Sequence, residues 1–533
     1  MKLSKIDIVI LLITAIFFIA IPFCVDIVYD AADDARYMFL VSGAYTGEPC
    51  PYIVFEGILY GKFLAFMYTL LPTVEWYSVS FYILSLIAFL VISFSLLRLE
   101  IKEYAKYFLV LVIFIIHLFY TLRPQNTLLA SELAFASLSF LLLKKDWKHM
   151  ICSVILFFLG TQIRVDAALI PYMICFPLFF RNIQVKSRNF VYVSIVLAIM
   201  LMLAVGTKML DRKAYDTQEW KEFFSYNSAR GYIADNPLSK SKVSSMINED
   251  DRLAYELLVD YRFVDRKIMP YEKIKSFSDD LRDEKITTIK WNVIPYFRMY
   301  IELGGAVAVI LMIILLYPLF KKKKYKDILV LSLSLLMFAV ASVYMMSSSF
   351  PKVRVMATAL LAILSVLFVL CYDAMERYGL VYVVLGVIMA GTFVMKIVDV
   401  CESKGQRLDG AKELEFVLDN TESEKSLIIY PGSFSVEAFH GHDSSIGKKG
   451  VFFGWMYLAP FAPEKYKDIT AFIDGAPIIV AKNQMTQLHL LQNMIEKRYG
   501  ISTECEMQDA SNNYYVVHLK SISDENSDND CAF

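Results

Sequence analysis

The sequence predicts a mainly α-helical polytopic membrane protein, with about eleven spanning helices and a small extracytoplasmic C-terminal α/β domain. Three observations lead there. Of 533 residues, 57% are hydrophobic and the mean hydropathy is +0.49, whereas soluble domains are about 45–50% apolar. The 53 basic and 54 acidic residues cluster between apolar runs rather than along them, as a bilayer requires. Basic residues also recur in alternate short connections. The balanced charge argues against a nucleic-acid partner.

A span needs about 20 apolar residues, fewer where protein shields it. The candidate spans are 6–25, 76–97, 107–122, 127–143, 150–163, 167–180, 190–206, 299–320, 327–346, 353–372 and 379–397. Lys2 and Lys5 place the N-terminus inside, and the first run reads as a retained signal anchor because it lacks a small-x-small cleavage site. Later inside connections carry Arg98, Lys102 and Lys106, then Lys144, Lys145 and Lys148, then Arg181, Lys186 and Arg188. Lys321 to Lys324 and Arg377 complete the alternation, which leaves the C-terminus outside.

Residues 150–180 are apolar except for Arg164 and Asp166. One long helix would put basic clusters on both sides of the membrane and two charges at its centre, a costly arrangement. Two short helices meeting near 160–167 avoid both problems. Arms of about 21 Å fall short of a core of about 30 Å, so the tip is expected in a recess open to the outside. The 107–143 hairpin, with Arg123 at its tip, is similarly short.

Three segments face outward. Loop 26–75 begins with Asp26, Asp30, Asp33 and Asp34 and continues into an apolar stretch, 54–71, carrying Glu56 and Lys62. That stretch is expected to lie along the interface, since a span there would invert everything downstream. Loop 207–298 is charged and helical in pattern. Segment 398–522 mixes helix-like 409–418 and 486–498 with strand-like 427–430, 477–481 and 514–519. The tail 523–533, acidic and polar from Ser523 to Asp530, reads as disordered. The cysteines show no metal-type spacing, and whether any are paired is not readable. No internal repeat stands out, which weakens a transporter of inverted halves.

Asp33 and Asp34 lead the candidate residues. An acidic pair at the mouth of a cavity suits deprotonation of an acceptor hydroxyl or binding of a divalent cation; the plainer alternative is two solvated loop acids. Arg164, at the hairpin tip, suits bidentate phosphate binding, with Asp166 near enough to orient it, or else the two form an ion pair sealing the tip. Arg123, Lys352 and Arg354 lie on other outer connections, where basic residues are disfavoured, and together suit an anionic headgroup such as a diphosphate. Glu132 lies within a span and is a functional suspect, although Ser131 and Ser137 offer ordinary interhelical hydrogen bonds. His117 reads as a packed histidine. His440-Gly441-His442-Asp443 has two possible metal ligands but no visible partner cluster. No phosphate-cradling glycine loop and no G-x-S-x-G elbow is present.

The residues that carry a family likeness are Asp33-Asp34, the stretch from Gln125-Asn126-Thr127 to Leu143, Gly160 to Asp166 followed by Pro171, and Phe350-Pro351-Lys352-Val353-Arg354. Tyr226-Asn227-Ser228-Ala229-Arg230 with Asp235 adds to it. In layout the chain resembles the GT-C superfamily of membrane glycosyltransferases, which includes protein O-mannosyltransferases and lipid A aminoarabinose transferases. The likeness covers roughly residues 1–400, with 1–397 as the transmembrane domain and 398–522 as the outer domain. It implies transfer of a sugar from a polyprenyl-(di)phosphate donor to an extracytoplasmic glycan, glycolipid or protein, with inversion. The first-loop acid would act on the acceptor, a role falling to Asp33 or Asp34 with Asp33 slightly preferred. Arg164 would hold the donor phosphate, with Lys352 and Arg354 assisting and Arg230 in support. Metal dependence stays open, since no second acidic motif is evident unless Asp166 serves. The rival expectations are a flippase or transporter of a lipid-linked glycan, a polymerase or ligase of surface polysaccharide, and a non-catalytic assembly factor.

Overall fold

The computed structural model describes residues 3–522 except 26, 144–145, 182–187, 240, 242–246, 248, 262–265, 267–268, 322, 348–351, 422–425, 429–445, 453–454 and 463–468. Lys144, Lys145, Lys186, Phe350-Pro351, the His440–Asp443 motif, the C-terminal tail and the side chain of Arg377 lie outside the described residues.

The chain is mainly helical. The membrane-type helices are α1 (Lys5–Cys24), α4 (Trp76–Leu97), α5 (Glu103–Leu122), α6 (Asn126–Leu143), α7 (Trp147–Cys175), α8 (Arg188–Ala214), α13 (Gly305–Lys321), α14 (Tyr325–Met346) and the first part of α15 (Val353–Asp419). Between them lie α2 (Ala32–Val41), α3 (Ile58–Leu70), α9 (Gln218–Asp235), α10 (Glu249–Tyr261), α11 (Tyr271–Asp283) and α12 (Lys285–Glu302). Seven described helices are long and apolar enough to cross a membrane, fewer than the eleven expected. The difference has local causes. Asn126–Leu142 is short, and the 299–320 run is divided at Gly304, whose φ is +93°. The two predicted arms of 150–180 follow each other without a loop, parted only by the extended backbone at Arg164, and count as one run. Outward faces are apolar, as on α1, where Leu12, Ile16, Phe17 and Phe23 are exposed. In water such faces would be unstable patches; they are compatible with lipid.

Two reversals shape the bundle. Within α7, Arg164 has extended backbone angles, φ −156° and ψ 104°. Phe157 and Tyr172 stack edge to face at 4.8 Å, although fifteen residues of straight helix would separate them by about 22 Å. The chain therefore folds back at Arg164, and the expected hairpin is present. Gly160 permits the tight packing, since a Cβ there would lie 3.0 Å from the Ala130 carbonyl. The helical backbone of α15 also turns back. Thr358 bonds Ser131 near the start of α6, and Val369 meets Arg181 at the far end of the bundle. Gly386 then packs on Phe108, and Phe393 on Phe119, returning along α5 toward the starting end. The reversal falls between Val369 and Gly386, around the predicted Arg377 connection.

At the bundle end opposite the Arg164 turn, Arg181 donates to Asp327 through Nε at 2.8 Å and Nη2 at 3.2 Å, and to the Val369 carbonyl at 3.0 Å. Both side chains are largely buried. Removing one partner strands the other charge, so Asp327→Ala is expected to cost about 3–5 kcal/mol, seen as a lower thermal denaturation midpoint in detergent. An unchanged midpoint would contradict this.

The C-terminal region forms a five-stranded mixed sheet, β2-β1-β3-β5-β4, from β1 (Ser426–Ile428), β2 (Gly450–Phe452), β3 (Ile478–Ala481), β4 (Thr503–Asp509) and β5 (Tyr514–Ser521). β1 runs parallel to β2 and β3, while β3–β5 and β5–β4 are antiparallel. β3 is buried along its whole length, which explains its uninterrupted Ile-Ile-Val-Ala. Helix α16 (Met485–Tyr499) and the end of α15, through Leu414 and Val417, join the same core. The predicted helix 409–418 is thus the end of a longer helix. β4 escaped prediction because its apolar face is only Cys505 and Met507, set against Glu504, Glu506 and Gln508 on the other.

Candidate functional site

The site begins in the first loop, between α1 and α4. α2 places Asp33 and Asp34 in its first turn, where the helix N-terminus favours negative charge, and ends at Gly43, whose φ is +82°. The chain then turns at Phe55, with φ +80°, and enters α3. The helix in this apolar stretch is therefore 58–70 rather than 54–71: the turn at Phe55 keeps residues 54–57 out of it and points Glu56 inward. One face of α3 is buried through Tyr60, Leu64 and Tyr68, and the other exposes Phe63, Phe66 and Leu70.

The two acids face different surroundings. Asp33 is over a third exposed, lies 3.6 Å from Arg36, and accepts a 2.9 Å hydrogen bond from the indole N–H of Trp455 in the C-terminal domain. Trp455 also packs on Tyr37 and Phe55. Asp34 is wholly buried. Its Oδ1 accepts from the Asn126 backbone N–H at 3.2 Å and lies 3.0 Å from the Tyr77 hydroxyl. The same hydroxyl lies 3.0 Å from Glu56 Oε1, and Glu56 is also buried. Asp34 Oδ2 and Glu56 Oε2 have no hydrogen-bond partner. Burial raises the Asp34 carboxyl to about 8, against the pull of Tyr77 and Arg354. Burial, then the charge of Asp34, raises Glu56 likewise to about 8, against Tyr77, Asn126 and Arg164.

Asn126 joins the acids to the hairpin. Its backbone N–H serves Asp34, while its side-chain oxygen accepts from Arg164 Nη1 at 3.3 Å. The structure thus brings Asp33, Asp34, Arg164 and Arg354 together across α2, α6, the α7 turn and the start of α15. Neither arginine has a carboxylate ion-pair partner among the described residues, so both retain charge for an anion. The remaining candidates go elsewhere. Arg123 pairs with Asp30, whose backbone N–H also holds the Pro124 carbonyl at 3.1 Å. Lys352 pairs with Asp235 at 3.0 Å. Asp166 does not orient Arg164: the extended backbone at Arg164 turns it outward, mostly exposed, to Lys208 at 3.4 Å. Arg230 is buried and bonds Asn227 at 2.8 and 3.1 Å. Glu132 lies inside the bundle beside a narrow cavity, 3.9 Å from His117, whose Nδ1 meets the Ile113 carbonyl at 3.1 Å. Ser131 and Ser137 make the interhelical bonds expected of them, to Thr358 and to Ser153 and Tyr172.

Glu56, Tyr77 and Trp455 were not among the sequence candidates. An acid inside an apolar stretch is a signal that singles out Glu56; nothing local distinguishes Tyr77 or Trp455. Among the described residues, no cluster of three or more His, Cys, Asp or Glu is arranged for a metal.

The loop is pinned to the hairpin at Gly57, whose N–H donates to the Gln162 carbonyl at 2.8 Å. A Cβ at Gly57 would lie 2.5 Å from that oxygen, and backbone on both sides leaves little room to yield. Gly57→Ala is expected to lower the thermal midpoint and to separate Glu56 from Tyr77. Faster tryptic cleavage of the first loop would register the loosening, and wild-type resistance would refute it.

Comparison with models of known protein families finds no match, and neither does comparison with curated proteins.

Proposed function

We propose that the chain is an integral membrane glycosyltransferase that moves a sugar from a polyprenyl-phosphate or polyprenyl-diphosphate carrier to an extracytoplasmic hydroxyl acceptor. The N-terminus is then cytoplasmic and the C-terminal domain outside. The supporting observation is Asn126, which ties Asp34, the neighbour of Asp33 in the first turn of α2, to the arginine of the hairpin turn. Asp33 is the acid a substrate can reach, and Trp455 fixes its carboxylate. It takes the proton of the acceptor hydroxyl as that oxygen bonds to the anomeric carbon. The anomeric carbon–oxygen bond breaks and its electron pair leaves with the carrier phosphate. Arg164 and Arg354 meet the charge that develops there. Attack opposite the leaving group inverts the anomeric centre.

A flippase of the same lipid would also want the arginines but has no use for a held carboxylate beside them. The test is transfer from a panel of lipid-linked sugars by purified protein, with and without chelator. A well-folded preparation that consumes no donor overturns the proposal.

A further inference from the structure

Tyr77 has one hydroxyl proton, yet its oxygen lies 3.0 Å from a carboxyl oxygen of both Asp34 and Glu56. It can donate to only one of them. The second contact is a hydrogen bond only if the other carboxyl carries a proton and donates back. Two buried carboxylates bridged by one proton-poor hydroxyl would leave oxygens facing each other without a donor, a costly arrangement. Both outer oxygens already lack a partner.

The surrounding charges sharpen the point. Asp33 from the same helix disfavours ionisation of Asp34, and the neighbouring phenols of Tyr29, Tyr37 and Tyr60 bond elsewhere, to Ser78, the Val54 carbonyl and Ser80. Among the described charged groups, Arg354, acting on Asp34, and Arg164, acting on Glu56, favour ionisation. Neither arginine is drawn into contact: Arg164 instead holds the neutral side-chain oxygen of Asn126 at 3.3 Å. A doubly ionised pair would capture one or both.

We propose that Asp34 and Glu56 share a single proton through Tyr77, and that this keeps Arg164 and Arg354 available to a ligand phosphate. Glu56 is thereby a positioning residue of the anion site, acting through the arginines without touching the ligand. The inference rests on the anion-binding part of the proposed function and adds a pH dependence. Below about pH 8 the pair holds its proton and the arginines serve the ligand. Above it the second carboxylate competes for them.

The experiment uses the full chain in detergent with farnesyl phosphate as the probe, titrated calorimetrically at pH 7 and pH 9. Wild type is expected to lose about 10–100-fold in affinity between them, the loss of one charge-assisted contact. Glu56→Gln, permanently uncharged, is expected to bind nearly equally at both. Infrared difference spectra of the ligand-free protein, wild type minus Glu56→Gln, supply a second readout: a protonated-carboxyl band at pH 7 that fades by pH 9. Its absence overturns the shared proton whatever the binding shows. A band with pH-independent affinity, or the same pH loss in Glu56→Gln, overturns the positioning role. No binding at either pH removes that role and the donor site together. Binding as expected without sugar transfer leaves the inference standing and sinks only the proposed reaction.

Discussion

Asp33→Asn is expected to reduce sugar transfer by about 10²–10⁴-fold while leaving farnesyl phosphate affinity nearly unchanged. The amide oxygen can still accept from the Trp455 indole, so the side chain keeps its place while losing the lone pair that takes the proton. Asp33 is partly exposed, so folding should be insensitive to the change, and an unaltered thermal midpoint serves as the control. Single-turnover transfer is the measurement. Activity within a few-fold of wild type would remove Asp33 from the reaction. The Asp34→Asn variant is a useful contrast. Asp34 is buried between Tyr77 and the N-terminus of α6, so its loss should also disturb stability.

Arg164→Met is expected to weaken both ground-state binding and turnover, the latter by about 10²–10³-fold, the usual cost of one donor to developing charge. Methionine preserves much of the apolar stem, so the hairpin turn should survive. Arg164→Lys is expected to restore only part, because an ammonium cannot reproduce the planar fork. A binding isotherm for farnesyl phosphate beside the transfer rate separates the two effects. Full activity in the methionine variant would place the carrier phosphate elsewhere. Arg354 gives a milder version of the same pair of effects.

Stability should also follow the buried acids. Their folded-state affinity for protons exceeds that of the unfolded chain, so the folded state binds more protons between about pH 4 and about pH 8. The thermal midpoint is therefore expected to fall as pH rises across that window, and to fall less in Glu56→Gln. A midpoint that rises there instead would contradict the burial of the pair.

Much of this was legible in the sequence because bilayer helices obey coarse rules. α4 matches its predicted bounds, and the fold-back at Arg164 followed from the cost of charges at mid-helix together with the alternation of basic clusters. The number of spans was less legible: α6 keeps its predicted bounds to within a residue but falls short of a full span of about 20 residues. The site was half legible. Asp33, Asp34, Arg164 and Arg354 announce themselves by charge in unexpected places. Their division of labour does not, because it depends on which acid the C-terminal domain touches and which faces inward. Asp166 shows the converse: two residues from Arg164 in sequence, it is turned away by the same backbone break that leaves the arginine beside Asn126. Tyr77 stood no chance of selection among 33 tyrosines.

The bond between Trp455 and Asp33 spans 422 residues. At about 5–20 residues per second, a ribosome needs about 20 to 85 seconds after making the acid before it makes the indole. Throughout that interval the nascent chain is inserted but its acid has no fixed direction. If the proposed reaction holds, a chain that has not yet made Trp455 cannot hold Asp33 in its working direction, and transfer waits on the C-terminal domain.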